Sequence, residues 1–244
     1  MMRWSYVASS SRGKEHRPPT GSAVQLTLDL GWPFAAPAAP AVERPARRAE
    51  ETREREGLQF VGLMRSLVAD IAAKVPALSH IDPEKLAFSL TRARSRSKAG
   101  TYAFIVPMRF EGGANVMQHG RRTYRMPRLA LPGGDALYVM YFLYPRYFNL
   151  PRQRKLHTVF HELYHIGGSF DGDLRRFAGR QWAHGACKGQ FDGVVAQLVE
   201  EYLERWGSDD PAPARFLKHS WGDLTRLFGG VRAPAIVRPR PLPI

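Results

Sequence analysis

The chain reads as an α+β protein, a small and mainly antiparallel sheet packed on helices with disordered tails at both ends. Three observations carry this. A helical period runs through residues 57–75, four short apolar or aromatic runs follow between residues 86 and 143, and helical periods return at 156–167 and 192–206. Strands grouped between helices, rather than alternating with them, mark the α+β class.

In chain order, residues 1–22 are polar, with no apolar periodicity. One apolar island, Val24–Phe34, follows, then an Ala/Pro segment and a mixed-charge run from Glu43 to Glu56 that reads as a linker or the solvated start of a helix. Residues 1–56 are therefore expected to be a disordered tail, and 57–228 the folded domain. Leu58, Val61, Met64, Val68, Ile71 and Val75 recur at three- and four-residue steps, and Pro76 ends that helix. Strands are expected over Leu86–Thr91, Tyr102–Phe110, Tyr124–Leu131 and Leu137–Leu143, separated by Gly112-Gly113 and Pro132-Gly133-Gly134-Asp135. Pro107 and Pro127 belong at sheet edges or bulges, because proline cannot donate to a ladder. The loop Arg92–Gly100 carries Arg92, Arg94, Arg96 and Lys98, as a solvated hairpin tip or a phosphate contact. Asp192–Trp206 turns Val195, Leu198, Val199, Tyr202 and Leu203 to one face, residues 213–228 form a last short helix, and 229–244 is a Pro/Arg-rich tail.

The charge is uneven. The 36 basic and 22 acidic residues give a net +14. Residues 1–56 hold 9 basic and 7 acidic residues (+2), and the remainder holds 27 and 15 (+12), so the excess belongs to the folded part. That suits a partner bearing phosphates, such as DNA, through long-range attraction and counterion release. Plain solubility charge in an Arg- and Ala-rich chain is the simpler account. No apolar run is long enough to span a bilayer, and no apolar segment follows Met1–Ser5 as a secretory signal would require. The single cysteine, Cys187, cannot close an internal disulfide, so a cytoplasmic setting is expected.

The chemistry concentrates in His161-Glu162-Leu163-Tyr164-His165. Leu156, Val159, Phe160, Leu163 and Ile166 give this stretch one apolar helical face, and Gly167-Gly168 stops it. A helix sets residues i and i+4 one turn apart on the same side, so His161 and His165 aim two imidazoles at one point, as a tetrahedral zinc ion requires of its first two ligands. Glu162 lies beside that point, where it can take the proton of an attacking water as general base. His157 is eight residues from His165, about 12 Å along the axis, too far to share the ion.

A third protein ligand is needed, and the residues leave three choices. Asp171 completes a His-Glu-x-x-His-x-x-Gly-x-x-Asp pattern with Gly168; His184 stands in Trp182-Ala183-His184-Gly185; Glu200, Glu201 or Glu204 could reach back from the next helix. Tyr164, Tyr124 and Arg175 are the candidates for stabilising an oxyanion.

Phe160–Ile166, Phe170–Phe177, Ala183-His184-Gly185 and Phe191-Asp192 together resemble the phage-type and SprT-like zinc metallopeptidases, over roughly residues 57–206. The resemblance implies a zincin-like domain, Zn2+ as cofactor, peptide-bond hydrolysis with Glu162 as base, and His184 as the third ligand beside His161 and His165. It also implies that an edge strand next to the His-containing helix holds the substrate backbone, for which Leu137–Leu143 is the expected candidate. Asp171 and Asp173 would then orient ligands instead of binding metal. The chain departs from SprT proper in having no Cys-rich zinc ribbon. A second resemblance lies in the tail. Gln25-Leu26-Thr27-Leu28-Asp29-Leu30 looks like the peptides by which bacterial replication and repair proteins bind the polymerase sliding clamp, with Leu26, Leu28 and Leu30 entering a groove and Gln25 bonding at its rim. The two resemblances imply a peptidase acting on DNA-associated proteins. The rival is a catalytically inactive zincin-fold adaptor that binds DNA or the clamp.

Overall fold

A computed structural model describes residues 57–94, 100–176, 188–206 and 211–244. The clamp-like peptide (Gln25, Leu26, Leu28 and Leu30), His184 and Cys187 lie outside the described residues.

The fold is mixed α+β and is organised around one buried strand. Strand β1 (Leu58–Gln59) leads into α1 (Phe60–Lys74), then come β2 (Leu86–Arg92) and β3 (Ala103–Pro107). A hairpin of β4 (Val116–His119) and β5 (Arg122–Arg125) precedes two short strands, β6 (Ala130–Leu131) and β7 (Gly134–Asp135), and the central strand β8 (Tyr138–Tyr144). Helices α2 (Arg152–Tyr164), α3 (Lys188–Glu204) and α4 (Trp221–Phe228) follow, then β9 (Val231–Arg232) and β10 (Leu242–Pro243).

The main sheet has the order β2-β8-β3. β8 runs parallel to β2, with Phe88 opposite Met140, and antiparallel to β3, with Ile105 opposite Met140 on the other side. The sheet is therefore mixed rather than mainly antiparallel. Moreover, Leu137–Leu143 supplies the centre and not the edge. The cause is visible in its composition: Tyr138, Val139, Met140, Tyr141 and Phe142 are all buried, as a strand covered on both faces must be. Tyr138, Met140 and Phe142 face a core built with Phe60, Met64, Leu67 and Ile71 of α1, Leu156, Val159, Phe160 and Leu163 of α2, and Val195 and Tyr202 of α3. Val139 and Tyr141 face a second, smaller core with Ala87, Val106, Met108 and Met126. Pro107 closes β3 on the sheet's edge, where its missing N–H costs no ladder bond.

Several boundaries differ from the sequence reading. The first helix starts at Phe60, because Leu58 is drawn into a parallel pair with Val231. The strand expected at Tyr124–Leu131 is two pieces, parted around Pro127, and it is preceded by β4, whose four residues are all exposed. The expected helix over 213–228 divides into a 3-10 run, Ala212–Lys218, and α4. Ser220 separates them: its hydroxyl accepts from the Asp223 N–H at 3.2 Å while the Asp223 carboxylate accepts from the Ser220 N–H at 3.0 Å, a reciprocal cap that restarts the helix.

The C-terminal segment is also corrected. Residues 229–244 were expected to be a disordered tail, but they lie along the sheet as a strap. The Ser89 hydroxyl donates to the Pro234 carbonyl at 2.9 Å and accepts from the Ile236 N–H at 3.2 Å, and the Tyr141 hydroxyl donates to the Val237 carbonyl at 3.3 Å. β10 then pairs antiparallel with β5, Leu242 opposite Arg125. Ser89 is wholly buried in the sheet and needs partners; a Pro-rich chain with unpaired carbonyls supplies them.

Candidate metal centre

Helix α2 starts directly after Pro151, whose fixed φ suits a helix entry, and buries Leu156, Val159, Phe160 and Leu163 against the main core. Lys155 is buried on the same helix and donates to the Leu217 and His219 carbonyls at 2.9 and 2.6 Å, tying α2 to the 3-10 run. The helix ends at Tyr164, with His165 as its C-terminal cap. The chain then reverses: Ile166 and Leu174 form an isolated antiparallel bridge, and Arg175 N–H donates to the His165 carbonyl at 2.7 Å.

With both ends so anchored, His161 and His165 place their Nε2 atoms 3.3 Å apart. Two nitrogens bound to one zinc at 2.0–2.1 Å in tetrahedral geometry stand about 3.3–3.4 Å apart, so the pair has the spacing the ion requires. Helix α3 supports it from behind. The Phe191 ring packs on His161 at 4.9 Å and on His165 at 4.8 Å, and the Asp192 carboxylate stands 3.5 Å from His161 Nδ1. A carboxylate near Nδ1 favours a proton there, the tautomer in which Nε2 keeps its lone pair for a metal. His157, one turn earlier, hydrogen-bonds the Asp192 backbone; burial lowers its pKa first, the Arg154 charge adds to this, and Asp192 opposes both.

Glu162 is buried, 6% exposed, on the side of α2 that faces β3. Its carboxylate accepts from the Ile105 N–H. The register explains why that N–H is available. Leu143 N–H bonds the Tyr102 carbonyl and Met108 N–H bonds the Leu137 carbonyl. In an antiparallel ladder bonded pairs alternate, so Phe104 and Val106 point their backbone groups at β8, while Ala103 and Ile105 point theirs away, off the sheet edge. Burial raises the Glu162 carboxyl and the Ile105 hydrogen bond opposes it, the balance of the two standing at about 8.

The proposed third ligands separate. Among the described residues, no third His, Cys, Asp or Glu joins the histidine pair as a metal-binding group. Asp171 does not reach it: its carboxylate accepts from the Asp173 N–H at 3.0 Å in the turn after α2. Asp173 is engaged elsewhere, gripping Arg176 through two bonds of 3.0 Å and accepting from Gly112 N–H at 3.1 Å. On α3, Glu200 and Glu204 are exposed and Glu201 pairs with Arg205 at 2.9 Å. His184 is four residues before Lys188, a stretch that spans at most about 14 Å when extended. Of the oxyanion candidates, Tyr124 is on β5, paired with Met117 and Pro243. Tyr164 and Arg175 stay beside the histidines, Arg175 stacked 4.4 Å over the Tyr164 ring and Tyr164 4.9 Å from Phe191.

Sequence reasoning missed the roles of Asp192 and Ile105. Phe191-Asp192 belongs to the pattern that carries the resemblance, but nothing local assigns Asp192 a role 31 positions from His161, and Ile105 acts through its backbone. Asp192→Asn should lower zinc affinity about 10–100-fold, measured by competition with a chromogenic chelator, because the amide no longer holds the His161 tautomer. An unchanged affinity would show that Asp192 has no part in the centre. No model of a known protein family matches the chain, and neither a curated protein nor a solved structure matches it significantly.

Proposed function

We propose that the chain is a zinc-dependent metallopeptidase of the zincin kind, with proteins associated with DNA as its substrates. One observation carries the reading: two imidazole nitrogens at a zinc-ligand spacing, with a carboxylate behind one of them and a second, buried carboxylate one residue along the helix. His161, His165 and His184 would hold the ion. When bound, zinc supplies Lewis acidity toward the scissile carbonyl. The chain's own residues supply the rest. Asp192 keeps His161 in the ligating tautomer. Glu162 takes the proton of the attacking water and returns it to the leaving amine; a cation on the neighbouring imidazoles favours its ionised form, against the effect of burial. An extended substrate laid along β3 would meet the outward backbone groups of Ala103 and the outward carbonyl of Ile105, whose N–H is already engaged by Glu162, which is strand addition to a sheet edge. The edge used is thus β3 in place of β8. The peptide Gln25–Leu30 is the proposed contact with the sliding clamp.

The test is cleavage of an unfolded protein by the zinc-loaded chain, compared with the chelator-stripped chain and the stripped chain with zinc restored. Cleavage that disappears and returns with zinc is expected. A zinc-loaded, folded chain that cleaves neither unfolded proteins nor DNA-bound ones would overturn the peptidase reading in favour of an adaptor.

A further inference from the structure

The sheet β4-β5-β10 has no core of its own. All four residues of β4 are exposed, as are both residues of β10 and both ends of β5. Val116 and Met117 are 40% and 37% exposed, and Leu242 and Ile244 are 54% and 61%. A two-stranded hairpin is marginal by itself in water, and here β10 of the strap pairs with it as a third strand.

Its charge is of one sign. Residues 114–131 and 234–244 contain Arg121, Arg122, Arg125, Arg128, Arg238 and Arg240, and neither Asp nor Glu. All six arginines are exposed. Arg128 pairs with Asp135 at 2.7 Å, and Arg238 lies 5.2 Å over the Phe104 ring, so these two are held in place by neighbours outside the ribbon. Gly120, at φ 60°, opens the two-residue turn and sets Arg121 at its tip between paired His119 and Arg122.

We propose that this arginine-bearing ribbon is a duplex-DNA binding element. The major groove of B-DNA admits a two-stranded β-ribbon; its walls are phosphates, which arginine contacts in pairs of hydrogen bonds, and its floor offers thymine methyl groups to an apolar side chain such as Met117, which shares a face of the ribbon with Arg122. The deep, narrow major groove of A-form RNA does not admit a ribbon. This inference deepens the proposed function by giving the DNA contact a place, and it stands apart from the metal: neither histidine of the pair is on the ribbon.

The experiment is fluorescence anisotropy with a short labelled DNA duplex of arbitrary sequence, as a function of salt. The full chain is compared with the triple variant Arg121→Gln, Arg122→Gln, Arg125→Gln, and with the triple variant Arg205→Gln, Arg215→Gln, Arg226→Gln, three exposed arginines outside the ribbon, as a charge-matched control. Binding should weaken linearly in log–log form with salt. The ribbon variant should lose about 0.9 of slope for each arginine that contacts phosphate, and the control should keep the full slope. His161→Ala should bind DNA as the parent does, which separates this inference from the peptidase reading. A flat salt response, a ribbon variant with unchanged slope and an intact melting transition, or tighter binding to duplex RNA would each overturn it.

Discussion

Glu162→Gln should abolish peptide hydrolysis while leaving zinc bound. The two side chains have the same shape, and the amide oxygen of Gln can still accept from the Ile105 N–H that the carboxylate now engages. It cannot take a proton from water. Loss of a general base costs about 10²–10⁴-fold in rate, so turnover should fall to background at ordinary enzyme concentrations. His161 and His165 keep their spacing, since it depends on the helix and on Phe191 and Asp192 behind it. Zinc content by elemental analysis and a thermal melt, taken on the same sample, check that the variant is loaded and folded. A loaded, folded variant with parental activity would show that Glu162 is not the base.

The second large effect concerns the metal itself. The parent chain should carry about one zinc, and His161→Ala, His165→Ala and His184→Ala should each lose it, since a catalytic site with three protein ligands does not keep the ion on two. Asp171→Ala should retain it, because that carboxylate accepts from the Asp173 N–H in the turn after α2 and, among the described residues, does not join the histidine pair in a metal-binding group. If Asp171→Ala loses zinc and His184→Ala keeps it, the turn after α2 must rearrange on metal binding and the aspartate is the third ligand. A parent chain that is folded and takes up no zinc would overturn the metal centre and leave the adaptor reading.

Much of the site was legible because it is local. The four-residue spacing of His161 and His165, the position of Glu162 between them and the apolar stripe that makes the segment a helix are all properties of consecutive residues, and helix geometry converts them into a converging pair. The run Tyr138–Phe142 announced a strand by its composition, and Pro76 ended the first helix as its missing N–H requires. Strand order was not legible in this way. A buried apolar run is equally at home in parallel and antiparallel ladders, so the insertion of β8 between β2 and β3 depends on which neighbours can cover both its faces. β4 was missed for the opposite reason: with both faces in water it shows no alternation to read.

By itself, then, the sequence determined the paired imidazoles, the adjacent carboxylate, the α+β class and the concentration of positive charge in residues 57–244. Each of these follows from composition or from contacts within a few residues. The tertiary structure alone decided that Asp192 and Phe191 back the histidines, that Glu162 meets the open edge of β3, and that the last residues strap the sheet and steady an arginine ribbon. Those contacts join positions tens to more than a hundred residues apart, and they form only where burial of Ser89, Glu162 and the two cores forces distant backbone and side-chain groups to satisfy one another.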